Sequence, residues 1–87
     1  MDMKVSIALA TYNGETYLQE QLNSYLTQER LPDEVVVCDD DSTDNTVNIL
    51  KNFQKTAPFK VNIIKNKNNL GYTKNFEKAL SLCTGDI

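Results

Sequence analysis

No histidine occurs anywhere in the 87 residues. Histidine triads and histidine metal sites are therefore excluded within this chain. No run of 18 apolar residues exists to span a membrane, and no signal-peptide pattern precedes the apolar stretch that starts at Lys4. The glycine-rich phosphate loops are missing too: neither G-x-G-x-x-G nor G-x-x-x-x-G-K-[ST] is present, so neither a dinucleotide fold of the standard type nor a P-loop is supported. Cysteine is scarce. Cys38 and Cys83 fall on an expected central strand and an expected helix, and read as lone buried thiols in a cytosolic, reducing setting. Internal repeats, linkers and low-complexity segments are also absent.

What is there is the composition of an ordinary soluble globular chain, 40% hydrophobic and 24% charged. Its length allows one domain at most, below the usual size of a complete α/β enzyme domain. The net charge of −3 hides an asymmetry: residues 1–59 carry four basic and ten acidic groups, residues 60–87 five basic and two acidic. An acidic chain without a basic stripe is a poor nucleic-acid binder, so no nucleic acid is expected as partner. The lysines at 60, 65, 67, 74 and 78 read first as a solvated surface, and second as a phosphate-facing set.

Three strands and three helices alternate. Lys4 to Ala10 is almost continuously apolar and rich enough in β-branched residues for a buried parallel strand. Thr11-Tyr12-Asn13-Gly14 ends it, Asn-Gly being a turn signal. Leu18, Leu22, Tyr25 and Leu26 share one face of a helix expected over Thr16 to Gln28, which Arg30-Leu31-Pro32-Asp33 breaks. Glu34 to Asp39 is the second strand. Asp44 is the expected N-cap of a helix over Asn45 to Lys55, with Thr46, Leu50, Phe53 and Ala57 on one face and Pro58 closing it. Lys60 to Lys65 alternates enough for a strand near an edge, with lysines guarding its ends. Phe76, Ala79, Leu80 and Cys83 define a third helix over Tyr72 to Cys83, with Gly85 as its expected left-handed C-cap. Asp86-Ile87 would begin a fourth strand. The pattern predicts an open parallel α/β sheet, and the missing last strand suggests a piece of a longer protein.

The chemistry gathers at two loops leaving the C-terminal ends of neighbouring strands, where open α/β sheets bind ligands. One loop is Thr11 to Gly14. The other is Asp39-Asp40-Asp41-Ser42, three adjacent carboxylates where turn or capping duty would account for one. Together they offer an aromatic ring that can stack on a base, a glycine that permits close approach, and carboxylates that can accept from a base imide N–H or ribose hydroxyls. The amides of Asn68-Asn69-Leu70-Gly71, with Lys74 in the following first turn, could hold an anion. A second reading fits Asp39-x-Asp41-x-Thr43 to a haloacid-dehalogenase-type phosphatase, with Asp39 as nucleophile and Asp41 as general acid. Against it, that motif belongs on the first strand of its fold, and Asp44 stands where Leu or Val normally follows. A third reading is a non-catalytic nucleotide-binding or assembly module. An EF-hand fails, since Leu50 would occupy the position of the bidentate glutamate.

Val5-Ser-Ile-Ala-Leu-Ala-Thr-Tyr-Asn-Gly14, Tyr17-Leu18, Glu20-Gln21-Leu22, Val36-Val-Cys-Asp-Asp-Asp-Ser-Thr-Asp-Asn-Thr46, Asn69-Leu-Gly71, Asn75-Phe76 and Thr84-Gly-Asp-Ile87, in that order, resemble the N-terminal nucleotide-binding part of family 2 glycosyltransferases. The likeness is greatest to bacterial members that build surface polysaccharides, rhamnosyltransferase-like ones included. Ala10 stands where the family usually has Pro.

The resemblance implies a Rossmann-like half of a GT-A fold, with residues 1–87 ending before the strand that carries Asp-x-Asp. It also implies a UDP- or dTDP-type nucleotide sugar as donor and a glycan or lipid-linked acceptor. Mg²⁺ or Mn²⁺ would be held beyond residue 87, so no metal ligand and no catalytic residue is assigned within this chain. Tyr12 matches the tyrosine that packs on the base, Thr11 the neighbouring pocket position, Asp40 the carboxylate that meets the imide, and Asp39 the residue that holds the loop or ribose. Asn13, Asn69, Gly71, Lys74 and Asn75 fall in the nucleotide-flanking regions. The longer enzyme would be cytoplasmic or lie at the inner face of the membrane. This polypeptide alone is expected to transfer no sugar, and to self-associate through the apolar edge of its first strand.

Overall fold

Four successive apolar residues, Val35 to Cys38, are all essentially inaccessible to solvent, which only a central strand covered on both faces achieves. The computed structural model describes residues 3–85. It builds a parallel sheet from β1 (Ser6–Thr11), β2 (Glu34–Asp39) and β3 (Lys60–Lys65), in the order β1-β2-β3, with α1 (Glu15–Leu26), α2 (Thr46–Thr56) and α3 (Tyr72–Leu82) following each strand in turn. The register runs Ser6 beside Glu34 and Glu34 beside Lys60, so the C-terminal ends of all three strands finish level at Thr11, Asp39 and Lys65. The second and third strands fall where the sequence puts them. The first begins and ends later than Lys4 to Ala10, because Thr11 still pairs with Asp39.

The pleat sorts side chains to two faces. Leu9, Val35, Val37 and Val61 pack with Leu18, Leu22 and Tyr25 of α1 and with Leu50 and Phe53 of α2. Ser6, Ala8, Ala10, Val36 and Cys38 alternate with that set, and α3 packs against β1 and β2. Leu26, expected on the buried face of α1, is 41% exposed at the helix end. The buried residues of α3 are Asn75 and Ala79, with Phe76, Leu80 and Cys83 half-buried. Cys38 is buried, Cys83 half-buried, and both are free; burial pushes both thiols up, away from reactive thiolate.

Two boundary expectations are corrected. Asn45, not Asp44, occupies the N-cap position of α2, yet the Asp44 carboxylate receives the Thr46 N–H at 3.0 Å and the Glu15 N–H of α1 at 3.2 Å. One side chain thus serves the N-termini of two helices. Gly85 is not a left-handed C-cap: α3 ends at Cys83 in extended backbone, and left-handed φ among the described residues falls at Asn13, Asp41 and Gly71. Glycine is required at 85 for space instead, since a Cβ there would lie 2.6 Å from the Lys4 carbonyl oxygen and 2.7 Å from Ser6 Oγ. The expected start of a fourth strand, Asp86-Ile87, lies outside the described residues.

Candidate functional site

The loops after β1 and β2 are tied to each other before they meet anything else. Asp39 is fully buried and takes the Thr11 hydroxyl at 2.6 Å, the Ser42 hydroxyl at 2.7 Å and the Ser42 N–H at 2.9 Å. The Asn13 N–H donates to Ser42 Oγ at 2.8 Å, and Asn13 Oδ1 accepts the Thr43 N–H at 2.8 Å. Asn13 at φ 46° and Asp41 at φ 63° bend the two loops; short polar side chains tolerate that region best among residues with a Cβ.

Asp40, one residue on, turns to the other side. It is 4% exposed and receives the loop between β3 and α3: Leu70 N–H at 2.7 Å and Asn66 Nδ2 at 3.0 Å reach Oδ1, and Gly71 N–H reaches Oδ2 at 3.0 Å. Burial pushes this carboxyl up, but the donors from Leu70, Asn66 and Gly71 outweigh it and hold the group below its ordinary value. Gly71, at φ 88°, adopts backbone that a side chain would strain, and that conformation delivers its N–H to Asp40.

Between the loops lies a cavity of about 360 Å³, lined by Ala10, Thr11, Tyr12, Tyr17, Asp40, Asn69, Gly71, Tyr72 and Asn75. Its volume is at the lower end of the roughly 300–1,000 Å³ of small-molecule sites. Of the residues singled out in the sequence, Thr11, Tyr12, Asp40, Asn69, Gly71 and Asn75 are brought together here. Asn13, Asp39 and Lys74 do not line it: the first two bind the loops to each other, and Lys74 is exposed on α3. Tyr17 and Tyr72 went unrecognised as lining residues. Both stand in the first turn of a helix that leaves one of the site loops, and that position was the available signal. Tyr12, Tyr17 and Tyr72 are 52%, 59% and 76% exposed, so three rings rim one hollow.

The phosphatase reading fails on this geometry. Asp39 would be the nucleophile, but it is sealed from solvent with three donors on its oxygens, and β2 is the second strand of the chain, lying beside β1. Among the described residues no group of three His, Cys, Asp or Glu side chains is placed to hold a metal ion. The three aspartates do not fit such a role, because Asp39 and Asp40 point apart and each already holds a loop.

The sequence profile of glycosyl transferase family 2 matches residues 6–87. This chain belongs to glycosyl transferase family 2. Among its relatives is the dTDP-rhamnosyl transferase RfbG of Shigella flexneri, 41% identical over 73 residues, which are 83% of this chain and 25% of that protein. The structure of S. aureus TarS, residues 1–349, superposes with a TM-score of 0.83 at 36% identity, covering 95% of this chain and 25% of that one. TarS has been solved with UDP and with UDP-GlcNAc. The mannosyltransferase PcManGT of Pyrobaculum calidifontis, solved with GDP-Man and Mn²⁺, superposes at 0.79 with 26% identity, covering 98% of this chain and 26% of that one. The family 2 chain described here therefore spans about a quarter of the length of each of these proteins. Its sheet and helices are those of the Rossmann-like N-terminal half of a GT-A fold.

Proposed function

We propose that this chain is the donor-nucleotide-binding portion of a glycosyltransferase that passes a sugar from a UDP- or dTDP-sugar to an acceptor hydroxyl during bacterial surface-polysaccharide synthesis. The observation that carries the reading is that Tyr12 and Asp40 line one cavity, a stackable ring beside an anionic acceptor. Tyr12 lies under the pyrimidine, Asp40 takes its imide N–H, and Tyr17 and Tyr72 close the sides. The names of RfbG and the UDP complexes of TarS support this donor class. The divalent ion that would neutralise the diphosphate, Mg²⁺ or Mn²⁺, would be held by residues outside 1–87, and so would the base that activates the acceptor, a glycan or lipid-linked hydroxyl. Residues 1–87 alone then transfer no sugar.

With no tryptophan in the chain, its four tyrosines report binding directly. Titration with UDP and dTDP should quench tyrosine emission saturably, whereas adenosine diphosphate should not. Equal responses to all three would overturn the reading.

We further propose that two copies of this 87-residue chain pair along β1, which lies at the edge of the described sheet. Light scattering should show a concentration-dependent dimer; a clean monomer at high concentration would count against it.

A further inference from the structure

Asn66 is a buried loop residue that neither the cavity lining nor the sequence motifs single out. It follows β3 directly, and its N–H extends the ladder to the Asp39 carbonyl at 2.8 Å. Only 4% of the residue is exposed, and every hydrogen-bonding group of its side chain is used. Lys78 Nζ donates to Oδ1 at 2.8 Å. An ammonium can only donate, so the carbonyl end of the amide must face Lys78. The Nδ2 hydrogens are thereby turned the other way, one to Asp40 Oδ1 at 3.0 Å and one to Asn75 Oδ1 at 2.7 Å. Asn75 is fixed in turn, its own Nδ2 donating to the Cys38 carbonyl at 2.8 Å. One consistent set of amide orientations results, fixed from both ends: the Lys78 ammonium can only donate, and the Asp40 carboxylate and the Cys38 carbonyl can only accept.

The consequence falls on Asp40. Oδ1 receives two donors, from Asn66 and Leu70, and has no lone pair left. Oδ2 receives one, from Gly71, and keeps one lone pair open. A carboxylate with a single vacant acceptor position in a cavity wall accepts one further donor and repels an acceptor.

Given the nucleoside site proposed above, we propose that Asn66 is the positioning residue that makes this site select a base with an imide N–H. Uracil and thymine present that N–H at N3, whereas cytosine presents a bare ring nitrogen there. Without the Asn66 donor the carboxylate keeps one backbone donor on each oxygen but gains a second open acceptor position, which a donor such as the exocyclic amino group of cytosine can fill, and the distinction weakens. A buried acceptor selects strongly only while its vacant position is fixed.

The test is the ratio of affinities for UDP and CDP, measured by calorimetric titration. The unsubstituted protein should prefer UDP by roughly ten- to a hundredfold, the range a hydrogen bond to a charged group supplies. Lys78→Met removes the donor on the carbonyl side while Asp40 still holds the amide, so it should leave the ratio unmoved and serves as the control. Asn66→Ser and Asn66→Ala, which withdraw the Nδ2 donor from Asp40, should narrow the ratio about threefold or more. Loss of structure alone would lower both affinities in proportion and leave the ratio unmoved. If the unsubstituted protein selects UDP and both Asn66→Ser and Asn66→Ala keep that ratio, Asn66 does not position Asp40 and the inference is wrong. If the unsubstituted protein binds UDP and CDP equally, or neither, the nucleoside reading itself falls, and this inference with it.

Discussion

Asp39 and Asp40 carry the same side chain one peptide apart, and the pleat of β2 sends them to opposite sides. Asp39 closes onto Thr11 and Ser42 and holds two loops together; Asp40 closes onto Leu70, Asn66 and Gly71 and faces the cavity. Sequence alone placed three acids in one turn but could not say which oxygens remain open, because each partner lies 26 to 31 positions away unless it is Ser42. Tyr12 is the simpler case. Half-exposed and outside the core, it contributes little to folding and leaves its ring at the cavity. Tyr12→Ala should weaken UDP binding by about 1–3 kcal/mol, the usual worth of one base–aromatic stack. Calorimetric titration reads the loss, and the melting temperature should stay within a degree or two.

At the scale of elements, the hydrophobic spacing in the sequence is enough to define the helices, since Leu18, Leu22 and Tyr25, or Leu50 and Phe53, can only be buried together on one face. Ends are set differently. Asp44 stands outside both α1 and α2 yet accepts an N–H from the first turn of each, so it fixes their relative placement as well as their starts. Asp44→Ala should lower the urea midpoint, because both helix starts lose the acceptor they share. Because Asp44 lies next to the Asn13–Thr43 contact, the same variant should also loosen the loop that carries Tyr12. Thermal stability and nucleotide affinity should therefore fall together here, unlike in Tyr12→Ala.

Across the whole molecule, the end of the sheet opposite the cavity is held by a buried carboxylate. Glu34 is 2% exposed and accepts the Ser6 hydroxyl at 2.5 Å, the Thr84 N–H at 2.8 Å and the Thr84 hydroxyl at 2.6 Å. These bonds, the Ser6 hydroxyl first, hold its carboxyl down to about 2 from an ordinary 4.5. The folded value lies below the unfolded one, so the stabilisation is fully present above pH 4.5 and is lost as pH falls towards 2. The urea midpoint should drop over that window. Glu34→Gln should flatten the drop and, at neutral pH, cost roughly 1–3 kcal/mol. The latch joins β1, β2 and the segment after α3, so its loss should also free Gly85 from Ser6 Oγ, which it meets at 2.8 Å.

Layering, element order and the gathering of polar loops at one end of the sheet follow from the sequence by itself. Each depends on neighbours within a few residues: apolar spacing for the helices, β-branched runs for the strands, Asn-Gly and Asp-Ser for the turns. Tertiary structure alone decided that Glu34 is buried, that Asp39 supports while Asp40 faces the cavity, and that Tyr17 and Tyr72 join Tyr12. The physical reason is separation along the chain. Glu34 meets Thr84 across 50 residues and Asp40 meets Gly71 across 31, and no local pattern encodes a contact that exists only once the sheet has aligned its strand ends.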